Sequence, residues 1–471
     1  MVRGTHKNAF REYVTSKAAG LSALLADPLL GEVKAALVDG APRVGNFQVH
    51  GTWPAFLQEA LRTCSGNPEL HSVVMALLEK EQSSASSATH HEKRRLLRGL
   101  GLLGTSGYSV GKILAESPSF DAAAAVLKAR GIKLIARSRR TASDLGYKRG
   151  YQLVEDPAYM TAKSILCTED EGFYVIPPGE SAVFVSGTGT ETDPYVIELA
   201  VIRNCLGEEA FAAPLLAWLD AVIHAAVGVR RNQRPNQPGA MVQIGLNMGP
   251  RHARVLGWGK SFNKPNLSQE EMTAQDTDFI GAQSLLWLLI NSNFPTEVPA
   301  AFAAGVAGLP YPALGTQNVP SEMGFSFEYD GKDYNFTQAG RAPPEGIALL
   351  GFRMGSHTDD SPVPFTVIMT CSREDPKAPA LAPGLGANLV DLTLKTVVQA
   401  APATLMAFNS NKLHGTTNHG AGIDPTNSGL GIFLTKRVHD AIRDAVGKSG
   451  YDGVVYAGAP ITDLSGNGEQ P

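Results

Sequence analysis

Residues 346–359 read GIALLGFRMGSHTD, an apolar run that ends in the triplet His357-Thr358-Asp359. An apolar run of this length bounded by glycines predicts a buried strand that leads into the triplet. On a strand, the side chains at positions i and i+2 point to the same face. His357 and Asp359 are therefore predicted to reach one point in space, while Thr358 points away from it.

A second imidazole, His414, follows just beyond the apolar segment 404–408, which reads TLMAF. Two imidazoles and one carboxylate on one face of a metal ion form the donor set of non-haem Fe(II) sites, which leave further coordination positions open. His419 is an alternative to His414, and we favour His414 because it lies nearer the predicted strand. We predict that His357, Asp359 and His414 bind a metal ion and are catalytic.

The surrounding sequence predicts one strand after another from about residue 320 to 440. Phe325–Tyr329 and Tyr334–Phe336 alternate apolar and polar residues on either side of Asp330-Gly331, which is typical of a β-hairpin. Further strands are predicted at 346–356, 364–371, 404–408 and 428–438. We therefore predict an α+β protein with a double-stranded β-helix (jelly-roll) core and a large helical N-terminal elaboration.

The length of 471 residues allows more than one domain. We predict a helical, partly basic N-terminal region at 1–150, with helices within 10–38 and 54–80, a double-stranded β-helix domain at 151–462, and a disordered tail at 463–471. Residues 1–165 hold 22 Lys and Arg against 14 Asp and Glu, although the whole chain has a formal net charge of −4. Such a basic half is typical of a surface that faces a polyanion, and also of unevenly charged solvated helices.

The four cysteines, Cys64, Cys167, Cys205 and Cys371, form no C-x-x-C pair, which argues against a zinc cluster or a disulfide framework. The sequence shows no secretory signal and no run of about twenty apolar residues. We expect reduced thiols in an intracellular compartment, no membrane partner, and a monomer. Arg230 and Arg231 begin a polar stretch broken by prolines, and we predict that they contact phosphate groups; an ordinary surface loop is the alternative.

The order of these motifs resembles that of the compact TET/JBP nucleobase dioxygenases of lower eukaryotes. The resemblance covers roughly 150–440 and is strongest at 346–438, in the motifs GFRMGSHTD, NKLHGTTNHG and GLGIFLTKRV. It implies a nuclear enzyme that uses Fe(II), 2-oxoglutarate and molecular oxygen to oxidise 5-methylcytosine in double-stranded DNA. Such enzymes flip the target base out of the duplex. Phe433, with Phe365 and Tyr334 as alternatives, would then stack on the base, and Asp360 would accept a hydrogen bond from its exocyclic amine.

Members of this superfamily commonly carry an arginine ten to sixteen residues after the distal histidine, and that arginine binds the far carboxylate of 2-oxoglutarate. Residues 424–430 contain no basic side chain. Arg353 is our first candidate for this role, because it lies four residues before His357, and Arg437 is the second. An arginine suits the role because its guanidinium binds a carboxylate through two parallel hydrogen bonds.

Two other functions fit the same residues. A 2-oxoglutarate oxygenase that acts on a protein side chain or a small molecule would share the triad and differ at the entrance. A jelly-roll binding protein without enzymatic activity would carry the triplet by chance.

Overall fold

The computed structural model describes residues 75, 92 and 95–446, with gaps at 103–105, 208, 248–256, 259–266, 310, 312–313, 315–324, 330–331, 337–341, 376–383 and 419–424. The chain divides into two compact units, Met1–Arg95 and Leu96–Pro471. The helices predicted within 10–38 and 54–80, and the tail at 463–471, lie outside the described residues. The fold is therefore that of the second unit.

Six helices have both ends within the described part of the chain. They are α1 (Val110–Glu116), α2 (Phe120–Lys128), α3 (Glu209–Val229), α4 (Gln269–Asn293), α5 (Glu297–Val306) and α6 (Lys436–Val446). Local sequence explains where several of them begin. The hydroxyl of Ser119 accepts the amide of Ala122 at the start of α2. Ser268 and Glu271 form a reciprocal capping box at the start of α4, which satisfies amides that the first turn leaves without helical partners.

Seventeen strands are described. The first ten are β1 (Ile132–Ala136), β2 (Gln152–Val154), β3 (Ser164–Leu166), β4 (Tyr174–Ile176), β5 (Ser181–Ser186), β6 (Val196–Ile202), β7 (Ala240–Asn247), β8 (Gly257–Trp258), β9 (Phe325–Tyr329) and β10 (Lys332–Phe336). The others are β11 (Glu345–Leu350), β12 (Thr366–Glu374), β13 (Leu389–Asp391), β14 (Thr396–Val398), β15 (Thr404–Phe408), β16 (His414–Thr416) and β17 (Thr426–Ile432).

Nine strands form the main sheet, in the order β1-β5-β6-β15-β12-β17-β11-β7-β8. Its centre is antiparallel: β17 pairs with both β11 and β12, and β12 pairs with β15. The minor sheet has the order β16-β13-β14-β4, and an isolated antiparallel bridge between His357 and His414 adds the segment around His357 to its edge.

The chain alternates between the two sheets in a regular way. From β11 it passes to the His357 segment of the minor sheet, returns for β12, supplies β13 and β14, returns for β15, supplies β16, and ends in β17. This strand order is that of an eight-stranded jelly roll. The predicted fold class is confirmed: the protein is an α+β protein with a double-stranded β-helix core and added helices.

Two of the apolar clusters in the described residues pack against the main sheet. The larger lies between the main sheet and the helices, and includes Leu219 of α3, Leu289 of α4 and Leu430 of β17. The smaller lies between the two sheets, and includes Phe184, Met406 and Phe408. Burial of apolar surface on both faces of the main sheet is the dominant favourable contribution to the stability of this fold.

Helix α3 is long and apolar enough to cross a membrane, judged by length and composition alone. In this structure, its residues Leu215, Leu219 and Ile223 are buried in the core layer that it shares with the main sheet. Part of the apolar surface of this helix thus lies in the core of the fold.

Several predicted elements have different limits in the structure. Residues 132–136, which fall in the region predicted to be helical, form a strand that pairs with β5 in parallel. The strand predicted at 346–356 ends at Leu350, and the strand predicted at 428–438 spans 426–432 and is followed by α6 from Lys436. The hairpin is confirmed, since β9 and β10 pair antiparallel on either side of 330–331.

Candidate metal centre

The three predicted ligands converge because the backbone of one segment pairs with the next. The amide of His357 donates to the carbonyl of His414 at 2.8 Å, and the amide of His414 donates back to the carbonyl of His357 at 2.9 Å. The amide of Asp359 donates to the carbonyl of Ser410, also at 2.8 Å. These bonds place the H-x-D segment beside the loop between β15 and β16.

The side chains form a compact cluster. One ligand atom from each of His357, Asp359 and His414 lies within 4.8 Å of the other two. Nε2 of His414 lies 3.7 Å from Oδ2 of Asp359, and the two imidazole ring centres are 4.2 Å apart. His414 is only 4% exposed, whereas the side chain of Asp359 is 48% exposed. The cluster is therefore buried on its histidine side and open on its carboxylate side.

Each histidine is held in the tautomer that a metal ion needs. Nδ1 of His357 lies 2.8 Å from the carbonyl oxygen of Gly355, and Nδ1 of His414 lies 2.9 Å from that of Lys412. A carbonyl oxygen only accepts hydrogen bonds, so both Nδ1 atoms carry the proton and donate. Each Nε2 atom then keeps its lone pair for a metal ion.

Electrostatics also keep His357 neutral. Desolvation lowers the pKa of His357 to about 4, and the neighbouring His414 and the positive charge of Arg234 act in the same direction. The carboxylate of Asp359 acts in the opposite direction. A neutral imidazole is the form that binds a metal ion, so His357 is ready to bind one near neutral pH.

Close backbone approach at two glycines makes room for this arrangement. A Cβ atom on Gly415 would lie 2.9 Å from the carbonyl oxygens of both Met354 and Gly355, and one on Gly355 would lie 2.5 Å from that of Tyr151. Three segments thus pack side by side, with no space for larger residues where they cross. The sequence signal for this packing is a glycine next to each ligand segment.

Ser356, directly before the triplet, supports the site from outside. Its side chain is 1% exposed, and its hydroxyl donates to the carbonyl of Lys148 at 2.6 Å and accepts the amide of Tyr151 at 2.9 Å. The guanidinium of the neighbouring Arg149 donates to the hydroxyl of Thr358. Sequence reasoning missed segment 148–152, because its partners are about 200 residues away along the chain.

The segment directly before the triplet is not the strand that the sequence predicts. Residues 351–356 form no regular strand. Strand-like pairing begins only at His357, which forms an isolated bridge with His414. Arg353 and His357 therefore share no strand, and their four-residue spacing does not place both side chains on one face of a sheet. Arg353 is half-buried, and its amide donates to the carbonyl of Pro238 at 3.1 Å. Arg437 is exposed in the first turn of α6 and not at the end of a strand.

The other predicted site residues differ in their surroundings. Arg230 is a correction: its side chain is 1% exposed and forms an ion pair with Asp276 of α4, so it lies in the core and not at a phosphate-binding surface. Arg231 is exposed, as expected of a surface loop. Asp360 is exposed beside the cluster, and Phe433 is half-buried just after β17.

The alternatives to these residues are less accessible. Phe365 is 5% exposed and belongs to the core, while the side chain of Tyr334 lies outside the described residues. His419, the alternative to His414, also lies outside the described part of the chain.

The donor set fits Fe(II). Two neutral imidazoles and one carboxylate suit a metal ion of intermediate hardness, and three protein ligands on one side leave the other side free. The exposed carboxylate face of the cluster provides that free side. Among the residues that the structure describes, this is the one group of three His, Cys, Asp or Glu side chains close enough to hold a metal ion.

No protein-family model matches the sequence, and no curated protein matches it. Among solved structures, NgTET1 in complex with 5mC DNA has 9% sequence identity and a TM-score of 0.33, over 63% of this chain and 88% of that one. A prolyl-4-hydroxylase from Pseudomonas putida has 12% identity and a TM-score of 0.23, over 48% and 88%. IDO from Bacillus thuringiensis has 11% identity and a TM-score of 0.24, over 50% and 90%. At such low TM-scores these likenesses say nothing of what the chain acts on.

Proposed function

We propose that the protein is an Fe(II)- and 2-oxoglutarate-dependent dioxygenase that oxidises the methyl group of a methylated base in DNA, with 5-methylcytosine as the expected base. The observation that carries the oxygenase class is the convergence of His357, Asp359 and His414 at the edge of the minor sheet. Both histidines offer Nε2 lone pairs, and the carboxylate is the third donor. A nuclear location would follow from this substrate.

In this proposal the residues of the chain hold the metal and orient what binds to it. Fe(II), 2-oxoglutarate and molecular oxygen would together supply the oxidation of a C–H bond. The carbonyls of Gly355 and Lys412 keep the imidazoles in one tautomer, and the bridge between His357 and His414 keeps them in one geometry. Arg353 is our first candidate and Arg437 our second for binding the far carboxylate of 2-oxoglutarate.

The preference for DNA rests on the sequence resemblance and is supported by exposed cations close to the cluster. Arg149 contacts Thr358 of the triplet, and Arg231 and Arg234 lie in the loop before β7. Phosphate groups are the natural partners of such side chains. Phe433 and Asp360 are the residues that we propose to contact the flipped base.

The test is turnover of a duplex oligonucleotide that carries 5-methylcytosine, in the presence of Fe(II), 2-oxoglutarate and oxygen, with the products identified by mass spectrometry. We expect the mass of the methylated base to increase by one oxygen atom, and no change in His357→Ala. Release of succinate without oxidation of any methylated base would redirect the proposal to a protein or small-molecule substrate. Absence of both iron and succinate release would instead identify a binding protein.

A further inference from the structure

Three exposed cationic residues lie next to the segments that carry the predicted ligands. They are Arg149, whose guanidinium donates to the hydroxyl of Thr358, Arg234, in the loop whose Pro238 carbonyl accepts the amide of Arg353, and Lys412, whose carbonyl accepts the Nδ1 proton of His414. All three side chains are exposed. We call these three residues the basic rim. They come from three separate parts of the chain, so no single sequence motif reveals them.

The loop that carries Arg234 is well ordered by its own hydrogen bonds. Oδ1 of Asn232 accepts the amides of Arg234 at 2.9 Å and Met241 at 3.2 Å, and Nδ2 of Asn232 donates to the carbonyl of Gly239. Gly239 has a φ of +75° and packs closely on Gly351. A Cβ atom on Gly239 would lie 2.1 Å from the carbonyl oxygen of Gly351. Gly351 lies six residues before His357. The contact therefore holds the loop that carries Arg234 beside the segment that leads to the predicted ligands.

The rim cations are not neutralised within the described structure. Among the described residues, none of the three forms an ion pair, whereas other surface cations such as Lys112 and Lys436 pair with a carboxylate four residues away on the same helix. Two exposed carboxylates, those of the predicted ligand Asp359 and of Asp360, belong to the same segment as Thr358. Once Asp359 binds a metal ion, its charge is balanced, and the rim is left with an excess of positive charge.

We propose that the basic rim binds the phosphate groups of the substrate strand next to the predicted ligands, and so positions the strand for reaction. This inference rests on the proposed function and adds to it the residues that recognise the backbone. Phosphate contacts set register and orientation without reading sequence. Arg149 and Arg234 can bind a phosphate through two parallel hydrogen bonds, whereas Lys412 acts as a point charge.

The test compares Arg149→Gln, Arg234→Gln, Lys412→Gln and the triple variant with the wild-type chain. The measurement is binding of a methylated duplex oligonucleotide at a series of salt concentrations, with iron content recorded for each protein. Lys128→Gln is the matched control, because Lys128 is exposed on α2, which packs against β1 at the other edge of the main sheet. Arg149→Lys keeps the positive charge but loses the planar guanidinium that can form two parallel hydrogen bonds.

Each single variant is expected to reduce the slope of log affinity against log salt by about one unit, and the triple variant by about two to three. At low salt the triple variant should bind roughly tenfold more weakly or worse. Lys128→Gln should match the wild-type chain. Arg149→Lys should keep most of the slope, which separates a phosphate contact from a purely structural role at Thr358.

An unchanged slope in all three single variants overturns the inference, and so does duplex binding by the wild-type chain that does not depend on salt. If the triple variant fails to bind iron, the salt slopes of the three single variants decide whether the rim binds phosphate. Salt-dependent duplex binding that the rim variants weaken, without oxidation of any methylated base, would support the rim and reject the proposed reaction. Oxidation of the methylated base, together with wild-type duplex binding by all the rim variants, would support the proposed reaction and reject the rim.

Discussion

At the scale of single residues, the site depends on which carboxylate faces the histidines. Asp359 and Asp360 are neighbours and both exposed, but only Asp359 has an oxygen close to Nε2 of His414, at 3.7 Å. The carbonyl of Asp360 instead accepts the amide of Lys436 at 2.8 Å. Two adjacent and chemically equal residues therefore have separable roles.

We predict that Asp359→Asn lowers the affinity for Fe(II) by at least about 100-fold, since removing a ligand costs more than removing one of its supporting groups. Asp360→Asn, the matched control, should bind Fe(II) as the wild-type chain does. Anaerobic titration of the purified proteins with Fe(II) measures both. Equal losses in the two variants would mean that Asp359 has no special place in the site.

The proximity of His357, Asp359 and His414 could be predicted from the sequence, while their surroundings could not. His357, Asp359 and His414 stand out because the chemistry needs those residue types at that local spacing. The burial of Arg230 could not be predicted, because its partner Asp276 lies on another helix. The support from Ser356 and the cation Arg234 also depend on segments that only the tertiary structure brings together.

At the scale of elements, the approach of β16 to residues 354–357 depends on Gly415. A Cβ atom there would lie 2.9 Å from two carbonyl oxygens, which is closer than real contacts allow. We predict that Gly415→Ala displaces His414 and lowers Fe(II) affinity about tenfold or more. Gly179→Ala is the control, because nothing lies within 4 Å of its Cβ position and its φ is not positive. If Gly415→Ala binds Fe(II) with wild-type affinity, the position of His414 does not depend on the close approach of β16 to residues 354–357.

The start of α6 contains a second testable element. The carboxyl group of Glu345, which is fully buried, accepts hydrogen bonds from the amide and the hydroxyl of Thr435 at 2.9 and 2.8 Å. Burial raises the pKa of Glu345 to about 8, although both hydrogen bonds oppose the shift. The folded protein therefore keeps this proton at pH values where the unfolded chain has lost it.

It follows that Glu345 reduces stability as the pH rises from about 4.5, its ordinary value, to about 8, with no further change above that. Glu345→Gln removes this dependence. Between pH 5 and pH 9, we expect the free energy of unfolding of the wild-type chain to fall by about 3 to 5 kcal/mol more than that of the variant. Urea unfolding at several pH values measures this difference. If the free energy of unfolding changes with pH by the same amount in both proteins, the prediction is wrong.

At the scale of the whole molecule, a buried ionic network joins the two sheets. The guanidinium of Arg139 donates to both carboxylate oxygens of Asp391, on β13 of the minor sheet, at 2.7 Å, and pairs with Glu198 on β6 of the main sheet. The side chains of Arg139 and Asp391 are 10% and 1% exposed. Because Asp391 is the partner of His414 in the pairing of β13 with β16, the network joins the strand that carries His414 to the main sheet.

We predict that Arg139→Met destabilises the protein by about 3 to 5 kcal/mol, because it leaves two buried carboxylates without a counter-charge. Arg140→Gln, at the next and exposed position, should change stability by less than about 0.5 kcal/mol. Urea unfolding at neutral pH distinguishes them. If both variants unfold at the same urea concentration, the network contributes nothing to joining the sheets.

The jelly roll was predictable because its strands are apolar, short and separated by turn residues. The full width of the main sheet was not, since β1 and β5 pair in parallel through a long connection, and the sequence of 132–136 lies among strong helix formers. Which strand takes which place in a sheet depends on packing across the whole molecule and not on the pattern of any one segment.

The most direct test of the account is the conversion of 2-oxoglutarate to succinate by the purified chain in the presence of Fe(II) and oxygen. With the methylated duplex present, we predict steady succinate formation by the wild-type chain, and none above background after iron is removed by a chelator or in His414→Ala. Equal succinate formation by the wild-type chain and by His414→Ala would contradict the assignment of His357, Asp359 and His414 as the iron site.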